Sequence, residues 1–259
     1  MSNFKLPIKD HAGEFLDQKE LIVLEDTLWW TVGRKAVLRN FLNKAKGYLS
    51  INSIMEIGCG SGGNLSLLKE YGEVSGVERS VFLANCAKSR KIAKEIFTGD
   101  FFDLEIPYSY QLTCLFDVLE HVEDEDFFLK QLNKKISSDH FLLISVPACQ
   151  FLYSQHDEIL HHYRRYSKKT LTELLAKNGF SVFKESYFLF FLFPLLALIR
   201  FKDKVLFKSG KKKQPSVNIG KVPKWINSLL ILILRAEACI TQVFPFPVGF
   251  WYIVLARKN

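Results

Sequence analysis

The sequence lacks most of the features that would take it outside the ordinary globular proteins. Five cysteines lie scattered at positions 59, 86, 114, 149 and 239, an odd number, with no two at metal-ligand or redox-motif spacing. A disulfide framework and a zinc site are therefore not expected, no metal is assigned, and the thiols read as reduced groups of a cytoplasmic protein. Short-period repeats and Gly/Ser- or Gln-rich tracts are missing. With 48% hydrophobic and 24% charged residues, a disordered or collagen-like chain is excluded. Residues 1–20 are mixed and polar, without a basic start and an apolar run, so no signal peptide is expected. No unbroken apolar run reaches the ~20 residues that a bilayer span requires.

What is present is enough for a full core: 259 residues, or roughly one large domain or two small ones. The net charge of +8 is concentrated in one place. Residues 188–247 hold ten Lys/Arg (Arg200, Lys202, Lys204, Lys208, Lys211, Lys212, Lys213, Lys221, Lys224 and Arg235) against two acids, Asp203 and Glu237. Elsewhere basic and acidic residues cancel. A nucleic-acid binder usually spreads positive charge along a face of its main fold, so no nucleic-acid partner is expected.

Between residues 53 and 146, strand and helix signals alternate. Apolar runs at 53–57, 74–78, 95–97, 111–116 and 140–146 read as strands, with helices near 63–71, 81–91 and 127–136. Near-continuous apolar strands separated by helices predict a parallel sheet covered on both faces. After residue 146 the pattern changes. Residues 148–165 read as a polar loop rich in histidine and aromatics. Thr170 to Glu173 matches a capping box opening a helix that stops at Asn178-Gly179. Residues 180–187 and 249–256 read as two strands that pair across an intervening basic, apolar insert.

The first strand ends in Glu56-Ile57-Gly58-Cys59-Gly60-Ser61-Gly62-Gly63. Glycines here allow a sharp strand-to-helix turn and close approach of a ligand to the backbone, and the following helix offers free N–H groups. Gly58, Gly60 and Gly63 also fit G-x-G-x-x-G, so an NAD(P)-dependent oxidoreductase is one reading. Glu78, at the end of the second strand with Arg79 beside it, suits the hydroxyls of a ribose in either case. Glu56 tips the balance, because a negative charge is unfavourable beside a pyrophosphate and suits a ligand carrying ammonium and sulfonium groups. Gly99-Asp100-Phe101 follows the third strand and Asp117-Val118-Leu119-Glu120-His121 the fourth.

With these blocks in this order, the sequence resembles the class I S-adenosylmethionine-dependent methyltransferases from Ser53 to about Phe180. The resemblance implies an α/β Rossmann-like fold: a seven-stranded sheet ordered 3-2-1-4-5-7-6, its last strand antiparallel, with helices on both faces. It implies S-adenosyl-L-methionine as cofactor. Glu56, Gly58, Cys59 and Gly60 would lie at the methionine end, Glu78 and Arg79 at the ribose, Asp100 and Phe101 at the adenine. Asp117, Val118 and His121 would flank the methyl donor, although Glu120 and His121 read equally well as capping and packing residues. A second block, Leu24 to Lys35, looks like the E-x-x-H-W-W-F-x-G-R-R segment of a subgroup found beside glycan and lipid pathway enzymes. Leu28 stands for its usual His and Thr31 for its usual Phe. There the segment forms a helical lid, and Arg34 would pair with the cofactor carboxylate; the alternative is that Trp29 and Trp30 simply anchor the core.

His156-Asp157-Glu158-Ile159-Leu160-His161-His162-Tyr163-Arg164-Arg165-Tyr166 follows strand five and resembles the subgroup's H-D-x-x-x-G-H-x-R-R-Y, with His161 where Gly is common. In this fold, ligands sit beyond the carboxyl ends of the strands, so the loop should face the acceptor. Methyl transfer needs close positioning and often a base, which makes His156 and His162 the catalytic candidates and Asp157 their orienter. Arg164 and Arg165 would either hold an anionic acceptor or brace the loop.

Three regions are expected: lid helices plus core over 1–187, a basic helical insert over 188–248, and a final core strand over 249–259. The insert, with apolar runs at 186–199 and 225–234, predicts helices lying in a membrane surface with lysines toward anionic head groups. A dimer interface is the competing use. The expected function is methyl transfer to an O, N or C atom of a small or lipid-linked acceptor, with the protein peripheral on the inner face of a membrane. A non-catalytic cofactor-binding scaffold is a further alternative.

Overall fold

The computed structural model describes residues 18–106, 110–208 and 222–259. Two N-terminal helices, α1 (Gln18–Thr27) and α2 (Trp29–Lys46), precede the sheet. Then come β1 (Ser53–Ile57), α3 (Leu65–Lys69), β2 (Glu73–Glu78), α4 (Val81–Ser89), β3 (Glu95–Thr98), β4 (Leu112–Phe116) and α5 (Glu125–Lys135). The chain continues through β5 (Phe141–Pro147), α6 (Gln155–Ile159), α7 (Lys168–Lys177), β6 (Phe180–Phe188), α8 (Phe193–Lys208), α9 (Lys224–Thr241) and β7 (Trp251–Lys258).

The sheet has the order β3-β2-β1-β4-β5-β7-β6. β1 to β5 pair in parallel, and β7 runs antiparallel to both β5 and β6, as expected from the sequence. Every residue of β4 and β5 is buried, which is why these strands read as continuous apolar runs. Alternation distributes their side chains to two cores. Leu112, Cys114 and Phe116 join α2, α3 and α4 on one face, whereas Leu115 joins α5 and α7 on the other.

Two local features differ from expectation. The capping box of α7 is formed by Ser167 and Thr170, so the helix starts before the Thr170–Glu173 block. Ser167 is the earlier N-cap candidate, and its hydroxyl accepts from the Thr170 N–H at 3.1 Å. Within the loop read from 148 to 165, residues 155–159 form α6, also opened by a capping box, from Ser154 and Asp157. A single short turn carries no hydrophobic period from which it could be read.

The insert returns to the body. α9 lies along α2, where Gly33 allows the approach: a Cβ there would meet Leu234 Cδ1 at 2.2 Å. Asn40 Nδ2 donates to Ala238 O at 2.6 Å and Thr241 Oγ1 at 2.9 Å, and Asn227 Oδ1 accepts from Trp29 N at 2.8 Å. The opposite side is exposed among the described residues. On α8, Leu195, Leu198 and Phe201 are exposed, as are Trp225, Leu229 and Leu232 on α9 and Val243 and Phe244 beyond it. Lys211, Lys212, Lys213 and Lys221, part of the basic cluster, lie outside the described residues. Among the described residues no helix is long and apolar enough to cross a membrane.

Candidate active site

At the end of β1, the chain turns through Gly58 and Gly60 with φ of 72° and 57°. A Cβ on Gly58 would stand 2.8 Å from Val118 Cγ2, while the space beside Gly60 is open. Glu78 holds this turn to the end of β2. One of its carboxylate oxygens accepts from Gly60 N at 2.9 Å and the other from Ser80 N at 2.8 Å.

Glu56 is buried beneath the turn. One oxygen accepts from Asn64 Nδ2 at 2.8 Å, and the other has no partner among the described residues. Burial pushes its pKa up to about 8, against the opposing pull of Asn64 and Arg34. Burial likewise raises the Cys59 thiol, with Glu56 and Glu78 adding to the effect, so this thiol is an inert packing group. An orphaned carboxylate oxygen under an open, glycine-lined turn fits a ligand that brings an ammonium group and close backbone contact.

Asp117 follows β4 with φ of 56°, a left-handed conformation uncommon outside glycine, which often marks a functional site. Its carboxylate pairs with Arg34 from α2 and accepts from Trp251 Nε1 of β7 at 2.8 Å. Arg34 also stacks over Trp30 at 4.5 Å, and Trp30 packs against Trp251 with centroids 4.6 Å apart. The N-terminal helices thus pack against the turns after β1 and β4. Glu25 of α1 accepts from Ser61 in the glycine turn and from Arg90 at 2.9 Å. At the far edge, Asp100 Oδ1 accepts from Phe102 N at 3.0 Å and Asp100 Oδ2 lies 3.7 Å from Arg79 Nε. Phe101 is buried, with Lys135 above its ring at 5.3 Å.

The histidine loop is laid onto the turn after β4. Tyr163 N donates to Glu120 O at 2.7 Å, Arg164 Nη2 to Glu123 O at 2.6 Å, and Tyr166 Oη to Leu119 O at 3.2 Å. Asp157 is wholly buried; it accepts from Arg165 Nε at 2.8 Å and Ser154 N at 3.0 Å, and lies 3.1 Å from His162 Nδ1. Burial alone would raise its pKa, but His162 and Arg165 outweigh it and hold the carboxylate well below the usual range. Arg165 and Arg164 therefore brace the loop, Arg164 through an ion pair with Glu125. His161 has φ of 56°, which explains a position where glycine is common in similar loops. His156, beside Arg200 of α8, is pushed down to about 4, chiefly by burial. His121 is also near 4, through burial and the neighbouring His162, whose ring centroid is 4.7 Å away.

The structure thus gathers Arg34, Glu56, Gly58, Cys59, Gly60 and Glu78 about the first turn, and Asp117, Val118 and His121 next to His162 and Asp157. Three contributors were not singled out in the sequence. Asn64 links Glu56 to Arg34 and directly follows the glycine run, a visible signal. Glu25, which lies within the tryptophan block, clamps the turn. Trp251 reads as an ordinary strand residue and carries no local sign of its contact with Asp117.

The methyltransferase domain family matches residues 32–185, more than half of the chain. No curated protein matches it in sequence. Among solved structures, magnesium protoporphyrin IX methyltransferase from Synechocystis PCC 6803 with bound SAH aligns at TM-score 0.55 and 14% identity, over 96% of this chain and 95% of that one. A SAM-dependent methyltransferase from Thermotoga maritima, described as a possible histamine N-methyltransferase, aligns at TM-score 0.52 and 19% identity, over 89% and 93%. The chain spans 54% of the length of the mitomycin 7-O-methyltransferase MmcR, at 16% identity and TM-score 0.49. The first two likenesses establish the fold, and the match over residues 32–185 establishes that the chain belongs to the methyltransferase domain family.

Proposed function

We propose that this protein transfers a methyl group from S-adenosyl-L-methionine to a small or lipid-linked acceptor at a membrane surface. The observation that carries the reading is Glu56: a buried carboxylate with one unpartnered oxygen beneath the open Gly58–Gly60 turn. The bound cofactor supplies an electrophilic methyl on a cationic sulfur. Glu56 and the turn would hold its amino-acid end, Glu78 with Arg79 the ribose, and Asp100 with Phe101 the adenine. Arg34, held on Asp117, closes the lid over that pocket and excludes water. On the acceptor side, His156 and His162 are the candidate bases, and Asp157 keeps a proton on His162 Nδ1, which directs the other nitrogen outward.

The lipid-linked reading rests on a groove of about 450 Å³ between residues 151–152 and α8, lined by Phe151, Pro194, Leu198 and Phe201 and ending at Arg200 and Lys204. Arg200 lies close enough to His156 to lower its pKa, so the groove leads toward the histidine loop. Exposed Leu198, Phe201, Trp225 and Leu232 beside Lys202, Lys204 and Lys224 match an interfacial helix pair facing anionic lipid.

Titration calorimetry with S-adenosylmethionine, S-adenosylhomocysteine, NAD and NADP tests the core of the reading. Saturable binding of the first two is expected; binding of a nicotinamide cofactor alone would overturn it. Flotation with anionic liposomes tests the membrane part: the wild type should float, and a L198E/F201E/L232E variant should remain at the bottom. Equal flotation of the two proteins refutes it.

A further inference from the structure

Where β4 ends, Glu120 occupies a short helical turn, Leu119–His121, and is 1% exposed. Both carboxylate oxygens are buried and lack a hydrogen-bond partner from any other of the described residues. A buried carboxylate in this condition is rare, because its desolvation is uncompensated. Two imidazoles face it. One ligating atom from each of Glu120, His121 and His162 lies within 4.8 Å of the other two.

We propose that Glu120, His121 and His162 form the binding site of a divalent transition-metal cation that holds an oxygen of the methyl acceptor. The inference deepens the methyl-transfer reading and rests on it for the role of the ion, but not for the site. Two imidazoles and one carboxylate suit zinc, manganese, iron or cobalt, and leave coordination positions open for an acceptor. Tetrahedral bonds of about 2.1 Å put ligand atoms about 3.4 Å apart, so a closure of up to about 0.7 Å per side chain completes the site.

The surroundings are arranged as a metal site's surroundings usually are. His162 Nδ1 lies 3.1 Å from Asp157 Oδ1, and Asp157 is itself held by Arg165. That contact leaves Nε2 of His162 as the ligating atom, and a carboxylate behind a ligating histidine is the common supporting contact. The guanidinium groups that act on Glu120, Arg165 and Arg34, are engaged by Asp157 and Asp117, and neither hydrogen-bonds its carboxyl group. Asp117 adds negative potential on the cofactor side. The turn and the histidine loop are joined by the Tyr163 N to Glu120 O bond of 2.7 Å, which fixes His162 opposite His121. With His162 engaged by the ion, His156 remains as the candidate base.

Cobalt(II) titration of the untagged, chelator-washed protein tests the site directly. One ion per chain is expected, with a visible d–d absorption that zinc(II) abolishes by competition. Glu120→Gln should weaken cobalt binding at least tenfold while S-adenosylhomocysteine still binds by calorimetry, and His121→Ala should weaken cobalt binding to a similar extent. Absence of saturable, one-per-chain cobalt binding in the wild type overturns the proposal, as does binding that neither substitution changes. Cobalt binding without S-adenosylhomocysteine binding keeps the site and refutes the cofactor reading instead.

Discussion

The glycine turn after β1 and the histidine loop after β5 both lie at the carboxyl edge of the same sheet, yet they are held by different forces. The turn is held by backbone: Glu78 takes the N–H groups of Gly60 and Ser80, and the left-handed glycines set the path. The loop is held by side chains: Asp157 gathers Arg165, His162 and Ser154 in a site closed to water. A backbone cradle tolerates many side chains around it and demands a few glycines. An ionic cluster demands every member, because removing one leaves a buried charge alone. The glycine turn is therefore robust in chemistry and sensitive in shape, and the histidine loop the reverse.

The strongest way to break that contrast is Asp157→Ala. It strands Arg165 in a buried site and should destabilise the protein by about 3–5 kcal/mol, read as a lower midpoint in urea unfolding. A loss under about 1 kcal/mol would mean that the loop is not held as described. Next is Glu56→Gln, compared across pH. The folded carboxyl sits at about 8 against an ordinary value of 4.5, so its protonated form supports the fold fully below the lower value. That support is lost as pH rises toward the upper one, by about 5 kcal/mol at most. The variant and the wild type should melt alike near pH 5, and the variant should be the more stable at pH 8; parallel curves would remove the buried-acid account. The smallest effect is expected for Gly58→Ala, which adds a Cβ 2.8 Å from Val118 Cγ2 at a φ of 72°. A loss of about 2 kcal/mol is expected from the strained backbone and the overpacking. S-adenosylhomocysteine affinity should fall at least tenfold in calorimetry, and an unchanged affinity would show that the ligand does not lie against this turn.

The two sites were also unequally legible in the sequence. Gly58, Gly60 and Glu78 occur in a local order that follows from strand-turn-helix geometry, so the turn could be read directly. His162 and Asp157 were visible as candidates because they fall on one short loop. The left-handed backbone at Asp117 and the contact of Trp251 with it were not visible, since β7 reaches β5 only after α8 and α9 have intervened. Glu120 read as a capping residue, and nothing local shows that both its oxygens are buried without partners. The Thr170–Glu173 capping pattern was a close competitor of the true Ser167 cap, and two equivalent caps within one turn cannot be separated without the packing of Leu171 and Leu175.

The sequence alone determined whatever rests on periodicity and neighbouring residues. That includes the continuous strands buried on both faces, their alternation with helices, the antiparallel final strand expected from the family resemblance, and the glycine turn. Tertiary structure decided the pairings between distant segments. Gly33 receives Leu234, Arg34 reaches Asp117, and His162 comes to rest opposite His121 and Glu120. The reason is physical: local propensity depends on a few adjacent residues, whereas these contacts exist only once the sheet has brought the ends of β1, β4 and β5 to one edge.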